Sequence, residues 1–191
     1  MIAMQKIVLA SGSKTRKKLL DLVRLPCEVF PAQIDEDSVA EQDFGVRAKK
    51  IAQLKAEWVA ERKSGIIIAS DTFTVCEGKY LGKPKDRAEA LEMLQFLSGK
   101  SFVSYTGFYC LNTKNGKTFA DTTETEVEFR KLGKEEIEDS LAHDPVTEWA
   151  GGYNVSQASI KFVKKINGSI SGLIYGLPLE LLDEALKALG N

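Results

Sequence analysis

The sequence predicts an α/β fold, a mixed β-sheet with flanking helices, and three observations carry that reading. Short apolar runs alternate with amphipathic stretches through the first half of the chain, the pattern of strands followed by helices. The run Ile66-Ile67-Ile68-Ala69 is continuous and almost wholly β-branched, as in a strand covered on both faces. Phe102 to Leu111 and Thr118 to Phe129 alternate strongly on either side of Asn115-Gly116, the strongest short hairpin signal. With 43% of its 191 residues apolar, the chain can bury one sizeable core, and a single domain over residues 1–191 is expected.

Taken in order, Lys6 to Ala10 reads as a buried strand, broken by Ser11-Gly12-Ser13. The helix after it is expected to bury Leu19, Leu20, Leu22 and Val23 on one face. Cys27 to Phe30 makes a short second strand closed by Pro31. A long helix is predicted from Val39 to Glu61, with Ile51, Leu54 and Trp58 on its apolar stripe. The strand Ile66 to Ala69 follows, with Ser70-Asp71-Thr72 at its exit and a hairpin around Glu77-Gly78. Asp86 caps the next helix with Glu89 reaching back, ahead of Ala90, Leu91, Leu94 and Leu97. After the central hairpin come a helix from Gly133 to Ala142, a strand from Ile160 to Ile166, and a closing helix from Pro178 to Leu189.

Composition narrows the function. Twenty-six Lys and Arg against 27 Asp and Glu give a formal charge of -1, so no field of one sign covers the surface and duplex nucleic acid is not expected as a partner. The apolar run near Lys6 is too short for a signal peptide or a membrane span, and a cytoplasmic protein without a membrane partner is expected. Cys27, Cys76 and Cys110 lack the close spacing of a redox pair or zinc knuckle and read as reduced, mostly buried thiols. The single histidine, His143, precedes Asp144-Pro145 and reads as a solvated residue at a helix end. Any active site must then be built from carboxylates, lysines, arginines and hydroxyls.

Five segments could carry such chemistry. In Ala10-Ser11-Gly12-Ser13-Lys14-Thr15-Arg16-Lys17-Lys18 a strand ends, hydroxyl residues turn the chain and basic residues open a helix, whose N–H groups attract anions. Serine caps and a solvated basic face are the alternative there. Asp71 follows a buried strand, where ligands of open α/β sheets bind; an ordinary turn aspartate is the alternative. Leu81-Gly82-Lys83-Pro84 joins a lysine to a stiffened, closely approachable backbone. It is not a Walker A loop, because the spacing is short and Pro84 stands where Ser or Thr would hold magnesium. Asp35-Glu36-Asp37 and Lys55 read singly as a solvated loop and a surface lysine. Together, carboxylates and scattered cations are what metal-assisted attack on a polyphosphate requires. Neither a Gly-x-Ser-x-Gly elbow nor a triad with His143 is available, which argues against acyl transfer.

The order of these segments resembles the Maf family. Leu9-Ala10-Ser11-Gly12-Ser13, Asp35-Glu36, Lys55-Ala56, Ala69-Ser70-Asp71-Thr72 and Leu81-Gly82-Lys83-Pro84 look like its landmarks. So do Leu97-Ser98-Gly99, Thr106-Gly107, Val127-Glu128-Phe129, Ala150-Gly151-Gly152-Tyr153 and Gly176-Leu177-Pro178-Leu179 further on. The resemblance implies an elongated sheet with two lobes around a nucleotide cleft, akin to inosine triphosphate pyrophosphatases, and often a homodimer. It implies hydrolysis of a nucleoside triphosphate substrate to the monophosphate and pyrophosphate. Asp71 would match the catalytic acid, Glu36 with Asp71 would hold a divalent metal, Mg2+ or Mn2+, and Lys55, Lys83 and Arg16 would match phosphate ligands. Ser11, Ser13, Thr15, Thr72 and Ser156 fall on substrate-binding positions of the same blocks.

Two matched specificity positions, Thr15 and Ser156, depart from the family pattern, and Lys18 stands in the helix where the family usually has a Glu. Lys14-Thr15-Arg16 stands where the family usually has Pro-Arg-Arg, and Ser156 where dTTP- and UTP-hydrolysing members carry a glutamine, with Gln157 one place later. Thr72 agrees with that pyrimidine branch, since the branch acting on 7-methyl-GTP tends to carry glutamine there. A nucleotide-binding regulator without turnover, or a pyrophosphatase for modified nucleotides such as 7-methyl-GTP, ITP or XTP, is the competing reading.

Overall fold

The computed structural model describes residues 6–189. The chain runs β1 (Ile7–Leu9), α1 (Lys14–Leu22), β2 (Glu28–Val29), α2 (Phe44–Ala60), β3 (Ile66–Cys76), β4 (Lys79–Leu81) and α3 (Arg87–Leu97). It continues through β5 (Ser101–Asn112), β6 (Thr118–Phe129), α4 (Lys134–His143), β7 (Val163–Asn167), α5 (Ile170–Tyr175) and α6 (Leu179–Leu189). Seven strands pair in the order β2-β1-β3-β5-β6-β7, with β4 on β3. Because β1 is parallel to β2 and β3 while β4 and β7 run antiparallel to their partners, the sheet is mixed, as the sequence predicts. The described residues divide into two compact units, 6–71 with 106–123 and 175–189, and 72–105 with 124–174.

In the first unit the pleat sorts alternate residues to opposite faces. Ile7, Leu9, Ile66, Ile68, Phe108 and Cys110 pack with Leu19 and Leu20 of α1 and with Leu181, Leu182, Ala185 and Leu189 of α6. Val8, Ala10, Ile67, Ala69 and Tyr109, on the other face, meet Ala52, Ala56 and Val59 of α2. Both faces of β3 are thus covered, which is why its opening reads as an unbroken apolar run. The second unit centres on Phe129, whose ring lies 4.8 Å from Phe102, 5.1 Å from Tyr153 and 5.9 Å from Phe162.

Several boundaries differ from the sequence reading, each for a local reason. Leu22 and Val23 are exposed instead of sharing a face with Leu19 and Leu20. Arg24 takes a left-handed φ of 56° and Leu25 N–H bonds back to Leu20 at 2.8 Å, so the helix closes and Leu25 occupies the core place. Helix α2 begins at Phe44 and not near Val39, because the Asp43 carboxylate caps it by accepting from Val46 N at 2.8 Å. Strand β3 continues to Cys76, so Ser70-Asp71-Thr72 lies inside the strand and not at its exit. Residues Ala158–Phe162 form a 3-10 turn before β7, and α5 is a helix of six residues that the sequence reading does not contain. The Glu77-Gly78 hairpin is present, with φ of 51° and 74° at the two turn residues. At α3 the Asp86 carboxylate accepts from Glu89 N, but Glu89 reaches one residue further back, to Lys85 N. The three cysteines are free, and His143 ends α4, exposed as expected.

Candidate active site

Lys55 is the centre of the site, and its position follows from the pattern of α2. The buried stripe of that helix is Ala48, Ile51, Ala52, Lys55, Ala56 and Val59, so Lys55 stands on the core face and not among solvated residues, the alternative the sequence allowed. Alanines at three of these places and Gly107 opposite bring helix and sheet close. A Cβ on Gly107 would lie 2.1 Å from the Ala48 carbonyl carbon. A lysine that is 8% exposed needs partners for its charge. It has two: Nζ lies 2.7 Å from Asp71 Oδ1 and 2.8 Å from Glu36 Oε1.

Asp71 comes from the middle of β3 and is 7% exposed, whereas the Glu36 side chain is half exposed on a 3-10 turn over Glu36–Ser38. That turn is built by Asp35, whose carboxylate accepts from Asp37 N at 3.1 Å and whose carbonyl accepts from Ser38 Oγ at 2.7 Å. Asp35 therefore shapes the loop, and Glu36 alone of the acidic run is paired with Lys55.

The start of α1 supplies the second cation. Ser13 caps the helix by accepting from Arg16 N at 3.4 Å, and its hydroxyl pairs with Thr15 Oγ1 at 2.8 Å. Arg16 donates from Nη1 to Ser11 Oγ and from Nε to the Gly176 carbonyl, both at 2.8 Å. Burial lowers the Arg16 pKa from its ordinary value, while the charges of Asp71 and Glu36 act to raise it; a guanidinium stays cationic under such opposed influences. The Gly176 carbonyl also accepts from Ser70, which ties Arg16 to the strand residue next to Asp71. With no acidic residue in its first turn, α1 presents an uncompensated N-terminus. Gly12, Ser13, Lys14, Lys17 and Lys18 line an open groove of about 550 Å³ beside it.

The first unit thus gathers Ser11, Ser13, Thr15, Arg16, Glu36, Lys55 and Asp71. Three expected residues belong to the second unit. Thr72 follows Asp71 on β3 and is half-buried. Lys83 is exposed and forms no ion pair among the described residues, held beside a Gly82 carbonyl that accepts from Gly151 N at 2.9 Å. Ser156 is exposed, and its N–H and hydroxyl both donate to Asn154 Oδ1, at 2.8 and 2.7 Å. Asn154, buried, is a residue the sequence reading missed; its signal was an Asn two places before a Ser, the spacing of a side-chain turn. Ser70 was passed over too. It is fully buried and donates to the Gly107 and Gly176 carbonyls.

The donor set suits a hard cation. Asp71 and Glu36 each direct one oxygen to the same ammonium, and each keeps its second oxygen without a protein partner among the described residues. Two carboxylates completed by water and phosphate oxygens are a common way to hold Mg2+, which needs no all-protein cage. No group of three His, Cys, Asp or Glu side chains gathers among the described residues. No helix there is long and apolar enough to cross a membrane.

Comparison with known proteins adds ancestry to this geometry. The family model described as Maf-like protein matches residues 6–189. The dTTP/UTP pyrophosphatase of Bacillus cytotoxicus is 38% identical over 185 residues, which cover 96% of this chain and 95% of that protein. The dTTP/UTP pyrophosphatase of Syntrophus aciditrophicus is 32% identical over 188 residues, covering 98% and 91%. A solved structure of a HAM1 protein from Coxiella burnetii superposes with a TM-score of 0.52 over 97% of this chain and all of that one. At 18% identity that likeness concerns the fold, and it agrees with the mixed α/β architecture.

Proposed function

We propose that this chain, which belongs to the Maf-like protein family, is a nucleoside triphosphate pyrophosphatase acting on dTTP or UTP. The observation that carries the reading is the Lys55 ammonium held between Asp71 and Glu36, with Arg16 in the field of both acids. Water attacks the α-phosphorus and the bond to the bridging oxygen of the β-phosphate breaks. The water's proton goes to the open oxygen of Asp71, and pyrophosphate leaves with the bonding electrons. Lys55 orients the Asp71 carboxylate, while Arg16 offsets the charge that builds on the leaving group; Lys83 is a phosphate ligand by family resemblance. Glu36 and Asp71 would hold the divalent metal, which when bound draws charge from the phosphate oxygens. The relatives' activity toward dTTP and UTP supports the pyrimidine preference, and Thr72 supports it from the sequence.

The test is release of pyrophosphate and monophosphate from dTTP, UTP, CTP, ITP, XTP and 7-methyl-GTP with Mg2+. Fastest turnover of dTTP or UTP, with the two products in equal amounts, is expected. Orthophosphate as the product, or nucleotide binding without turnover, refutes the proposal and leaves a regulator as the better reading.

A further inference from the structure

The mechanism above leaves unused a buried hydroxyl next to Asp71. Ser70 is fully buried on β3, and its Oγ lies 2.8 Å from the Gly107 carbonyl oxygen and 2.7 Å from that of Gly176. A hydroxyl has one proton, so the two carbonyls share it. Each acceptor leads to a different cation. Gly107 is where α2 touches the sheet, with no room for a Cβ against Ala48, and α2 carries Lys55. The Gly176 carbonyl also accepts from Arg16 Nε at 2.8 Å, so Ser70 and Arg16 occupy the same oxygen. Gly176 can present it because its φ of 67° lies in the left-handed region open to glycine. The preceding Tyr175 carbonyl faces Thr15 Oγ1 at 3.5 Å, a weak contact, and Leu177 is fully buried next to the turn.

We infer that Ser70 is a positioning residue. Acting through the Gly176 carbonyl, it fixes the Arg16 guanidinium relative to Asp71, its own neighbour in the strand. The chain of contacts is short: Asp71, the adjacent Ser70, Gly176, Arg16 and Ser11. Ser70 and Gly176 themselves touch no reacting atom and act only through Arg16 and Asp71. Without the Ser70 proton, the Gly176 carbonyl keeps its bond from Arg16 but loses its tie to the strand, so the guanidinium is no longer fixed relative to Asp71. An anion that needs Arg16 then meets a cation whose position is spread over many arrangements.

This inference rests on the proposed pyrophosphatase reading, and a double-mutant cycle tests it. Ser70→Ala, Arg16→Ala and the double variant are compared for kcat/KM on the preferred triphosphate and for binding of inorganic pyrophosphate by calorimetry. Ser70→Ala is expected to lower both about tenfold in the wild-type background and to change neither in the Arg16→Ala background, since coupled residues are not additive. Ser70→Cys, close in size and keeping a weak S–H donor, is expected to fall between wild type and Ser70→Ala. If Ser70→Ala does not fold, the same cycle is run with Ser70→Cys. A residue that serves only the core would lower stability while leaving the effects of Ser70 and Arg16 independent, so additive losses overturn the inference. A wild-type protein that neither turns over any triphosphate nor binds pyrophosphate overturns the function itself, and the positioning role with it.

Discussion

Replacing Asp71 by Asn separates chemistry from stability. The change keeps the shape of the side chain, and an amide oxygen can still accept from Lys55 at the 2.7 Å now spanned by Oδ1. What is lost is one negative charge and the proton acceptor. On the stability side, an ion-pair hydrogen bond becomes one from an ammonium to a neutral amide oxygen, a difference of about 1 kcal/mol. Lys55 keeps Glu36 at 2.8 Å as counter-ion. For a chain of this size that loss lowers Tm by about 2–4 °C. On the kinetic side, general-base assistance is worth about 10²- to 10⁴-fold, or roughly 3–5 kcal/mol of barrier. The variant is therefore expected to fold normally and to lose nearly all turnover. Pyrophosphate release under saturating dTTP measures kcat, and calorimetry measures Tm. At least half of the wild-type kcat in Asp71→Asn would refute the assignment, and a fall of more than about 10 °C in Tm would make Asp71 a structural residue instead.

Other consequences can be tested on the same footing. Lys55→Ala, which leaves the Asp71 carboxylate unoriented, and Lys83→Ala, which removes a cation that the resemblance implies as a phosphate ligand, should each lower kcat/KM by about 10²-fold without rescue by added metal; wild-type kcat/KM in either variant removes that lysine from the site. The Arg130 guanidinium, with the Gly133 N–H, pulls Glu136 from its ordinary value of 4.5 down to about 2. This carboxylate thus favours the folded state above the unfolded value, and that contribution is lost as pH falls from 4.5 toward 2. Glu136→Gln should flatten Tm against pH in that window, and an unchanged slope counts against the pair. Thr15→Arg with Ser156→Gln should raise the kcat/KM ratio for dTTP over other triphosphates, since the longer side chains would supply the hydrogen bonds that the family's pyrimidine branch carries at these positions. A ratio that stays put refutes that account.

The β-branched run at Ile66, the Asn115-Gly116 hairpin and the capped start of α3 were legible because each is local: neighbouring side chains and backbone decide them. The acids and cations were legible too, but their burial was not. Lys55 reads as a surface residue from its type alone, and only the alanines beside it and Gly107 across from it put its stem in the core. Asp71 reads as a turn residue for the same reason, since nothing short-range says that β3 continues to Cys76. Ser70 stands in the Ala69-Ser70-Asp71-Thr72 block, but its role is not legible there. Its partners are 37 and 106 residues away, and a serine beside a turn-like Asp has no pattern to announce them.

Charge balance explains why both acids belong to a site that must hold a polyanion. Arg16 and Lys55 are matched by Asp71 and Glu36, so the cluster has no net positive charge to offer. Lys17, in the adjoining turn of α1, is already tied to Asp21. Carboxylates by themselves repel phosphate, and their presence helps only if a divalent cation binds with the nucleotide and reverses the sign of the cluster. Removing one acid should then move two measurements in opposite directions. In Glu36→Gln, with metal chelated, nucleotide binding tightens, because the cluster loses one of the two negative charges that offset Arg16 and Lys55. With metal present, turnover falls and more Mg2+ is needed to reach half-maximal rate, because one of its two protein oxygens has lost its charge. Calorimetry in chelator and a Mg2+ titration of kcat read the two effects. If metal-free binding weakens instead, Glu36 serves to hold Lys55 in place and not to hold the metal.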